Sequence, residues 1–263
     1  MPATAKSFAT QVTEIAEGTD LSNSLTAPLK IAIDKLLQSS AEAVGSAVAS
    51  VLVRDGNQGG LKFLTATSGV TDKLLALRLP PGAGIAGLVL STNQPMAVAD
   101  VSQEGSFWSE ADRSTGFRTV TVLATPLRSN NEMVGVLEFV NRPGEPPYPP
   151  FTPAEMDHGA RFADPIARLV DVYEMAQLVE SLFNRSIKDL LQTSPGADSG
   201  KGLREWLNEN TLAGTHRDLA MLWISVHEIV MRGDAERELC RDLLQTLARF
   251  TEKRSGSSFS FGF

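Results

Sequence analysis

The chain has 263 residues, of which 42% are hydrophobic and 21% are charged, and its formal net charge is −7. This length and composition are typical of a globular protein with one large domain or two small domains. The negative charge and the lack of any run of Lys and Arg argue against nucleic acid as the main partner, because phosphate binding needs a basic surface.

Two further classes are disfavoured. No stretch approaches 18 uninterrupted apolar residues, so we expect no membrane span, and the N-terminal sequence lacks the pattern of a secretory signal. Cys240 is the single cysteine and cannot form an intramolecular disulfide, which favours a reducing, cytoplasmic location. The histidines are isolated and no nucleophile motif is present, so the sequence predicts neither catalytic residues nor a metal site, and hence no enzyme.

Six strands and several helices are predicted in chain order. Residues 1–24 are polar and are expected to be a flexible segment, and helical spacing of apolar residues then predicts a helix over 25–43. Strands are predicted at 47–53, 61–67, 74–79, 96–99, 119–127 and 132–141. This order predicts an α+β fold in which an antiparallel six-stranded sheet is flanked by helices.

A long helix is predicted after the proline-rich loop 143–150. Thr152-Pro153-Ala154-Glu155 has the pattern of a helix start, with Thr as N-cap and Glu three residues later. The helix has a broad apolar face, and we expect two copies of this face to pair in a homodimer. The residues of this face are Ile166, Leu169, Val170, Tyr173, Leu178, Leu182 and Phe183.

The remainder of the chain is predicted to be an extension of the first domain, which we place at 25–187. Residues 188–200 have the composition of a linker, 201–254 have the apolar spacing of an all-helical extension, and 255–263 form a flexible tail. The tail carries Phe259, Phe261 and Phe263 at alternate positions. These rings would lie on one face of an extended peptide, so the tail is either a docking peptide or a disordered end.

Three segments combine the features of a small-molecule site. Gly84-Ile85-Ala86-Gly87 opens a short helix after a strand, which places backbone N–H groups and the positive end of the helix dipole at one point. Asp112, Thr115 and Thr119 lie in a loop that could close over a pocket. Glu138 lies in the last strand, on the same side as Val136 and Val140.

The order of these motifs between residues 79 and 141 resembles that of a GAF domain, a small-ligand-sensing module. Among GAF domains it is most similar to the regulatory ones of cyclic nucleotide phosphodiesterases, and the resemblance runs from about Ser46 to Tyr173. It implies a pocket for a cyclic nucleotide or another small molecule, with no further cofactor. The resemblance assigns the pocket to Ser50, Thr67, Ile85, Ala86, Asp112, Thr115, Thr119 and Glu138.

This chain departs from the phosphodiesterase pattern at the second strand. That family has Phe-Asp where this chain has Ala66-Thr67, so an aromatic stacking partner worth ~1–3 kcal/mol is missing there. A second family feature is only partly kept: Asn141-Arg142, Phe151 and Glu155 match a network in which the base and the acid pair, but Met156 stands where the family has a second acid. The resemblance also implies no bilin attachment and no methionine sulfoxide reduction, since the matching region has no cysteine.

Two functions remain open from the sequence. The chain is a sensor that signals through dimerisation or through an effector protein of unknown identity, or it is an adaptor that kept the fold and binds no ligand.

Overall fold

The computed structural model describes residues 21–56, 59–69, 71–192, 205, 214–230 and 233–256. The strands are β1 (Val48–Asp55), β2 (Gly60–Ala66), β3 (Arg78–Leu79), β4 (Met96–Val98), β5 (Val122–Ser129) and β6 (Glu132–Val140). The helices are α1 (Leu21–Val44), α2 (Thr71–Leu75), α3 (Gly84–Thr92), α4 (Glu110–Thr115), α5 (Pro153–Gln192), α6 (Gly214–Val230) and α7 (Asp234–Gly256), with a short 3-10 helix at Val101–Gln103.

All six strands form one sheet in the order β3-β2-β1-β6-β5-β4, and every neighbouring pair is antiparallel. The central strands β1 and β6 pair with each other, and Ser50 lies directly opposite Glu138. The predicted α+β architecture and the antiparallel six-stranded sheet are therefore confirmed.

Alternation along the strands separates two apolar layers. On one face, Val51, Leu137 and Phe139 pack with Ile33 and Leu37 of α1 and with residues of α5. On the other face, Leu52, Val122 and Val136 pack with residues of α2 and α3. Glu138 lies on this second face together with Val136 and Val140, as predicted, because side chains two residues apart in a strand point to the same face.

The face of α5 that we expected to pair two subunits instead packs largely within the domain. Ile166 and Val170 are fully buried in the core layer under the sheet, and Leu169 and Tyr173 pack against that layer. This part of the helix is therefore already covered by the chain's own sheet. A homodimer stays a prediction, but it needs another surface.

The third predicted strand is mostly wrong. Residues 71–75 form α2, and only Arg78–Leu79 pair with β2. The Thr71 hydroxyl donates to the Ser68 carbonyl oxygen at 2.6 Å and fixes the turn that starts this helix. Within this helix the Leu74 side chain is buried, whereas the Leu75 side chain is partly exposed. A buried residue beside an exposed one fits a strand equally well, so the short pattern did not distinguish the two.

Several predicted boundaries also need correction. The first helix begins at Leu21, within the segment predicted to be flexible, and α5 continues to Gln192, within the predicted linker. The helix α7 reaches Gly256, so the start of the predicted tail is helical. Phe259, Phe261 and Phe263 lie outside the described residues. The described part of the predicted extension, Glu205 with α6 and α7, is helical, as predicted.

The chain divides into two units. One runs from Asp20 to Gln177 and contains the whole sheet, and the other contains the end of α5 from Leu178 together with α6 and α7. Within the second unit α6 and α7 pack against each other. No helix among the described residues combines the length and the apolar character needed to span a membrane.

Candidate ligand pocket

A cavity lies between the second face of the sheet and the segments that cover it. The space open inside it to the centre of a water-sized sphere is about 90 Å³. Ligand pockets commonly have mostly apolar walls. The aliphatic part of the wall consists of Val48, Leu74, Leu79, Ile85, Val122 and Val140. The wall thus has the apolar character of a small-molecule site.

Seven of the eight residues singled out in the sequence line this cavity: Ser50, Ile85, Ala86, Asp112, Thr115, Thr119 and Glu138. Ser50 and Glu138 come from the sheet, Ile85 and Ala86 from α3, and the other three from the segment around α4. Thr67 does not line the cavity. Its backbone N–H donates to the Ala49 carbonyl oxygen, and its hydroxyl accepts from the Ala49 N–H at 2.9 Å, so it extends the pairing of β1 with β2.

The start of α3 borders the cavity without a side-chain cap. Ala83 is the N-cap residue, and no side-chain hydrogen bond closes this helix end. The N–H groups of the first turn therefore have no acceptor within the helix. The opposite end is closed, because Arg128 donates to both the side-chain and the backbone oxygen of Asn93 at 2.6 Å.

The glycines of this motif permit close packing within the domain. A Cβ atom at Gly87 would lie 2.6 Å from the backbone carbon of Gly82, so Gly87 permits the tight turn before the helix. Gly84 has a φ of +71°, and a Cβ atom there would lie 3.2 Å from Cβ of Trp108. Trp108 thus lies close above the helix start.

The segment 104–119, which we call the lid, is held closed by its own polar groups. The two carboxylate oxygens of Asp112 accept from the backbone N–H of Thr119 at 2.8 Å and from its hydroxyl at 2.7 Å. The Thr115 hydroxyl donates to the Ala111 carbonyl oxygen and accepts from the Phe117 N–H. The hydrogen bonds of these three predicted site residues therefore hold the lid in place on the cavity.

Asn141 joins the end of the lid to the sheet. This residue has a positive φ of 55°, and its side-chain oxygen accepts from the N–H groups of Val120 and Thr121. Its side-chain nitrogen donates to the Arg118 carbonyl oxygen at 2.8 Å. These bonds replace strand pairing, which explains why β5 starts at Val122 and not at the predicted residue 119.

The predicted pairing of Arg142 with Glu155 is present. Two guanidinium nitrogens of Arg142 donate to the two carboxylate oxygens of Glu155 at 2.7 and 2.6 Å, and Arg142 also lies over the Phe151 ring. Glu155 accepts from the N–H of Thr152 as well, which completes the predicted N-terminal cap of α5. The Arg142 guanidinium is the main reason why the pKa of Glu155 is lowered to about 2.

Glu138 differs from the other polar groups of the cavity. Its carboxylate receives no hydrogen bond from any of the residues that the structure describes. Burial is the cause that raises the pKa of Glu138 from 4.5 to about 7. The Ser68 hydroxyl, also in the wall, is buried and has no partner among the described residues. A carboxyl group without a partner in a cavity is a group to which a ligand can bind.

Aromatic side chains complete the wall, and sequence reasoning missed them. Phe63 comes from β2, and Phe107, Trp108 and Phe117 come from the lid. They supply the aromatic surface that the exchange to Ala66 and Thr67 had led us to expect to be missing. The sequence signal was the pair Phe107-Trp108 in a polar loop, because loops seldom keep two large aromatic residues without burying them.

Among the described residues, no group of His, Cys, Asp and Glu side chains is arranged to hold a metal ion.

The sequence family comparison agrees with this architecture. Residues 26–171, more than half of the chain, match the GAF domain family. This chain belongs to the GAF domain family. GAF domains are commonly regulatory and bind small molecules, and in this chain the match covers the sheet, the cavity and its lid.

Individual relatives are similar over smaller parts of their length or at lower identity. A 67-residue segment is 34% identical to the dual 3',5'-cyclic-AMP and -GMP phosphodiesterase 11 of Drosophila melanogaster and covers 25% of this chain but only 5% of that relative. The GAF domain of a Coxiella burnetii phosphoenolpyruvate-protein phosphotransferase is 21% identical, with a TM-score of 0.48, over 63% of this chain and 95% of that domain. A type II free methionine-R-sulfoxide reductase from Thermoplasma acidophilum is 17% identical, with a TM-score of 0.47, over 57% of this chain and 96% of that enzyme.

Proposed function

We propose that this protein is a regulatory, non-enzymatic sensor whose GAF domain binds a small molecule in the cavity under the lid. The observation that carries the proposal is the Glu138 carboxyl, which lies in a mostly apolar and aromatic cavity and has no hydrogen-bond partner among the described residues. A ligand with a donor would supply such a partner in a setting shielded from water.

Binding would be reported by a change in the lid or in the helices that leave the domain. The lid depends on few hydrogen bonds, and α5 begins under the sheet and continues past the domain to Gln192. We propose that the signal passes to a second copy of the chain or to an effector protein in the cytoplasm. The single cysteine supports that location.

Cyclic nucleotides are the first ligands to test. The similarity to a segment of a cyclic nucleotide phosphodiesterase is the reason to test them. Calorimetry with cAMP and cGMP should then give a binding signal that Glu138→Ala weakens by about 1–3 kcal/mol, because a hydrogen bond to a buried charged group is lost.

The alternative is an adaptor that binds no ligand. Native mass spectrometry of the purified protein, followed by thermal shifts with a broad fragment library, separates the two functions. A retained ligand, or fragments whose binding is blocked by filling the cavity with Ala111→Trp, supports the sensor. No retained mass and no fragment that responds to Ala111→Trp would favour the adaptor. The exposed Ala76→Trp is the matched control, since Ala76 lies outside the cavity wall.

A further inference from the structure

The charge of the cavity wall restricts the kind of ligand that fits. Of the described residues in the wall, only Asp112 and Glu138 carry ionisable side chains, and both are acids. No Lys, Arg or His of the described part of the chain lines the cavity. An anionic ligand would thus meet two carboxyl groups and no cationic side chain, which is unfavourable in a site partly shielded from water.

The helix start offers little compensation for an anion. Its N–H groups could donate hydrogen bonds to an anion, but Trp108 lies close above Gly84, the first residue of the helix. The carboxylate of Asp112 already accepts two hydrogen bonds from Thr119. Of the two acids in the wall, Glu138 is therefore the one with free hydrogen-bonding capacity, and in its ionised form it can only accept.

The walls select for a flat ring. Phe63, Phe107, Trp108 and Phe117 surround a space between the sheet and the lid, and aromatic faces attract both stacked rings and cations. Glu138 joins this wall from the sheet, and an ionised carboxyl group suits a pair of parallel N–H donors, as in amidine-like edges. The cavity thus joins an aromatic slot to a paired acceptor.

We propose that the ligand of this cavity is a planar aromatic or heteroaromatic molecule that presents paired N–H donors to Glu138 and carries no anionic group. This inference rests on the proposed function, because it assumes that the cavity binds a ligand at all. It differs from the cyclic nucleotides considered above, whose phosphate is anionic.

Three isosteric probes test the head group directly. Benzamidine, benzamide and benzoate share one ring and differ in whether the head group is cationic, neutral or anionic. Ligand-observed NMR titrations at pH 8 with the full chain should show benzamidine binding about tenfold or more tightly than benzoate, since a charge-assisted pair forms only with the amidine. Benzamide should lie between the two.

Two matched variants assign the effect to Glu138. Glu138→Gln should weaken benzamidine about tenfold and leave benzamide nearly unchanged. Glu174→Gln is the control: Glu174 is also a glutamate whose pKa burial raises to about 7, but it lies on α5 and outside the cavity wall. It should leave all three affinities unchanged. Lowering the pH from 8 to 5.5 should weaken benzamidine, because Glu138 takes up a proton.

The outcomes separate this inference from the proposed function. Benzoate binding as tightly as benzamidine, no benzamidine binding at millimolar concentration, or equal effects of the two Glu→Gln variants would overturn the donor-pair ligand. If anionic library fragments nevertheless bind and Ala111→Trp blocks them, the sensor function stands and only the ligand class is wrong. If no fragment of any class responds to Ala111→Trp, both fail.

Discussion

At the scale of single residues, Glu138 lowers the free energy of unfolding by an amount that depends on pH. Its pKa is about 7 in the folded chain and near 4.5 in the unfolded chain. Between these values the folded state holds a proton that the unfolded state has lost, so stability falls as the pH rises from about 4.5 to 7. Glu138→Gln should therefore raise the free energy of unfolding by roughly 1–3 kcal/mol at pH 8 and leave it unchanged near pH 4. Urea denaturation at both pH values measures this difference.

The control for this prediction lies on the same strand. Glu132 begins β6 and is exposed, so Glu132→Gln should change stability little at either pH. A Glu138→Gln variant that is less stable than the wild type at pH 8 would mean that the carboxylate makes favourable contacts within the folded chain.

The Arg142–Glu155 pair shows the opposite dependence on pH. The pKa of Glu155 is lowered to about 2, so its contribution to stability is fully present above pH 4.5 and is lost as the pH falls towards 2. Arg142 also donates to the Val44 carbonyl oxygen at 3.0 Å, which links the end of α1 to the start of α5. Arg142→Met should cost about 2–4 kcal/mol at pH 7, because Glu155 loses its partner in a half-buried setting.

A double-mutant cycle isolates the pair. If the coupling between Arg142→Met and Glu155→Gln at pH 7 is below about 0.5 kcal/mol, the bond is no stronger than an ordinary surface pair and the assignment is wrong.

At the scale of elements, the lid is held by Asp112. Asp112→Ala removes both hydrogen bonds to Thr119 and should loosen the connection between α4 and β5. Because the sheet core is untouched, we expect a loss of only about 1–2 kcal/mol in global stability. Hydrogen exchange at the amides of residues 117–120 should become faster, while the amides of β6 stay protected.

Ser114→Ala is a suitable control for this experiment, since Ser114 lies on the same short helix and contributes no bond to Thr119. Equal exchange rates in Asp112→Ala and the wild type would show that Asn141 alone holds this part of the lid.

An element could be predicted from the sequence when its own residues carry a long enough pattern of apolar positions. Long apolar segments such as β1 and β6 were predictable, because burial on both faces leaves a nearly continuous run of apolar residues. The helix α2 was not, since five residues give too little pattern to separate it from a strand. A shift in the pairing of β1 with β2 between Val51 and Leu52 also changes which β2 side chains reach the cavity, which the sequence does not show. Phe63 was missed as a wall residue, while Thr67 was wrongly placed there.

The residues of the candidate site also fall into those that the sequence predicts and those that it does not. The positions of Ser50, Ile85, Ala86 and Glu138 could be anticipated, because each belongs to a strand or helix that the motif order defines. The bonds of Asp112 and Thr119 to each other could not, since they depend on the path of the lid between distant elements. The charge of the wall likewise emerges only when all the covering segments are assembled.

At the scale of the whole molecule, the described residues of the second unit present several exposed apolar side chains on their surface. On α6 and α7, Ala220, Ile224 and Cys240 are buried, whereas several leucines of the same helices are exposed. Leu222 and Leu239 are each 59% exposed and Leu243 is 56% exposed. Such surfaces commonly mark interfaces in regulatory proteins.

We predict that this surface, and not the buried face of α5, pairs two copies of the chain. Each half-exposed leucine that becomes buried adds roughly 1 kcal/mol or more to association. Light scattering should give the mass of a dimer at micromolar concentration, and the combined variant Leu239→Glu with Leu243→Glu should give a monomer. Gln245→Glu adds a charge to the same helix at an exposed polar position and should leave the dimer intact. A wild-type mass of one chain that does not change with concentration, or dissociation by Gln245→Glu alone, would contradict a dimer held by these leucines.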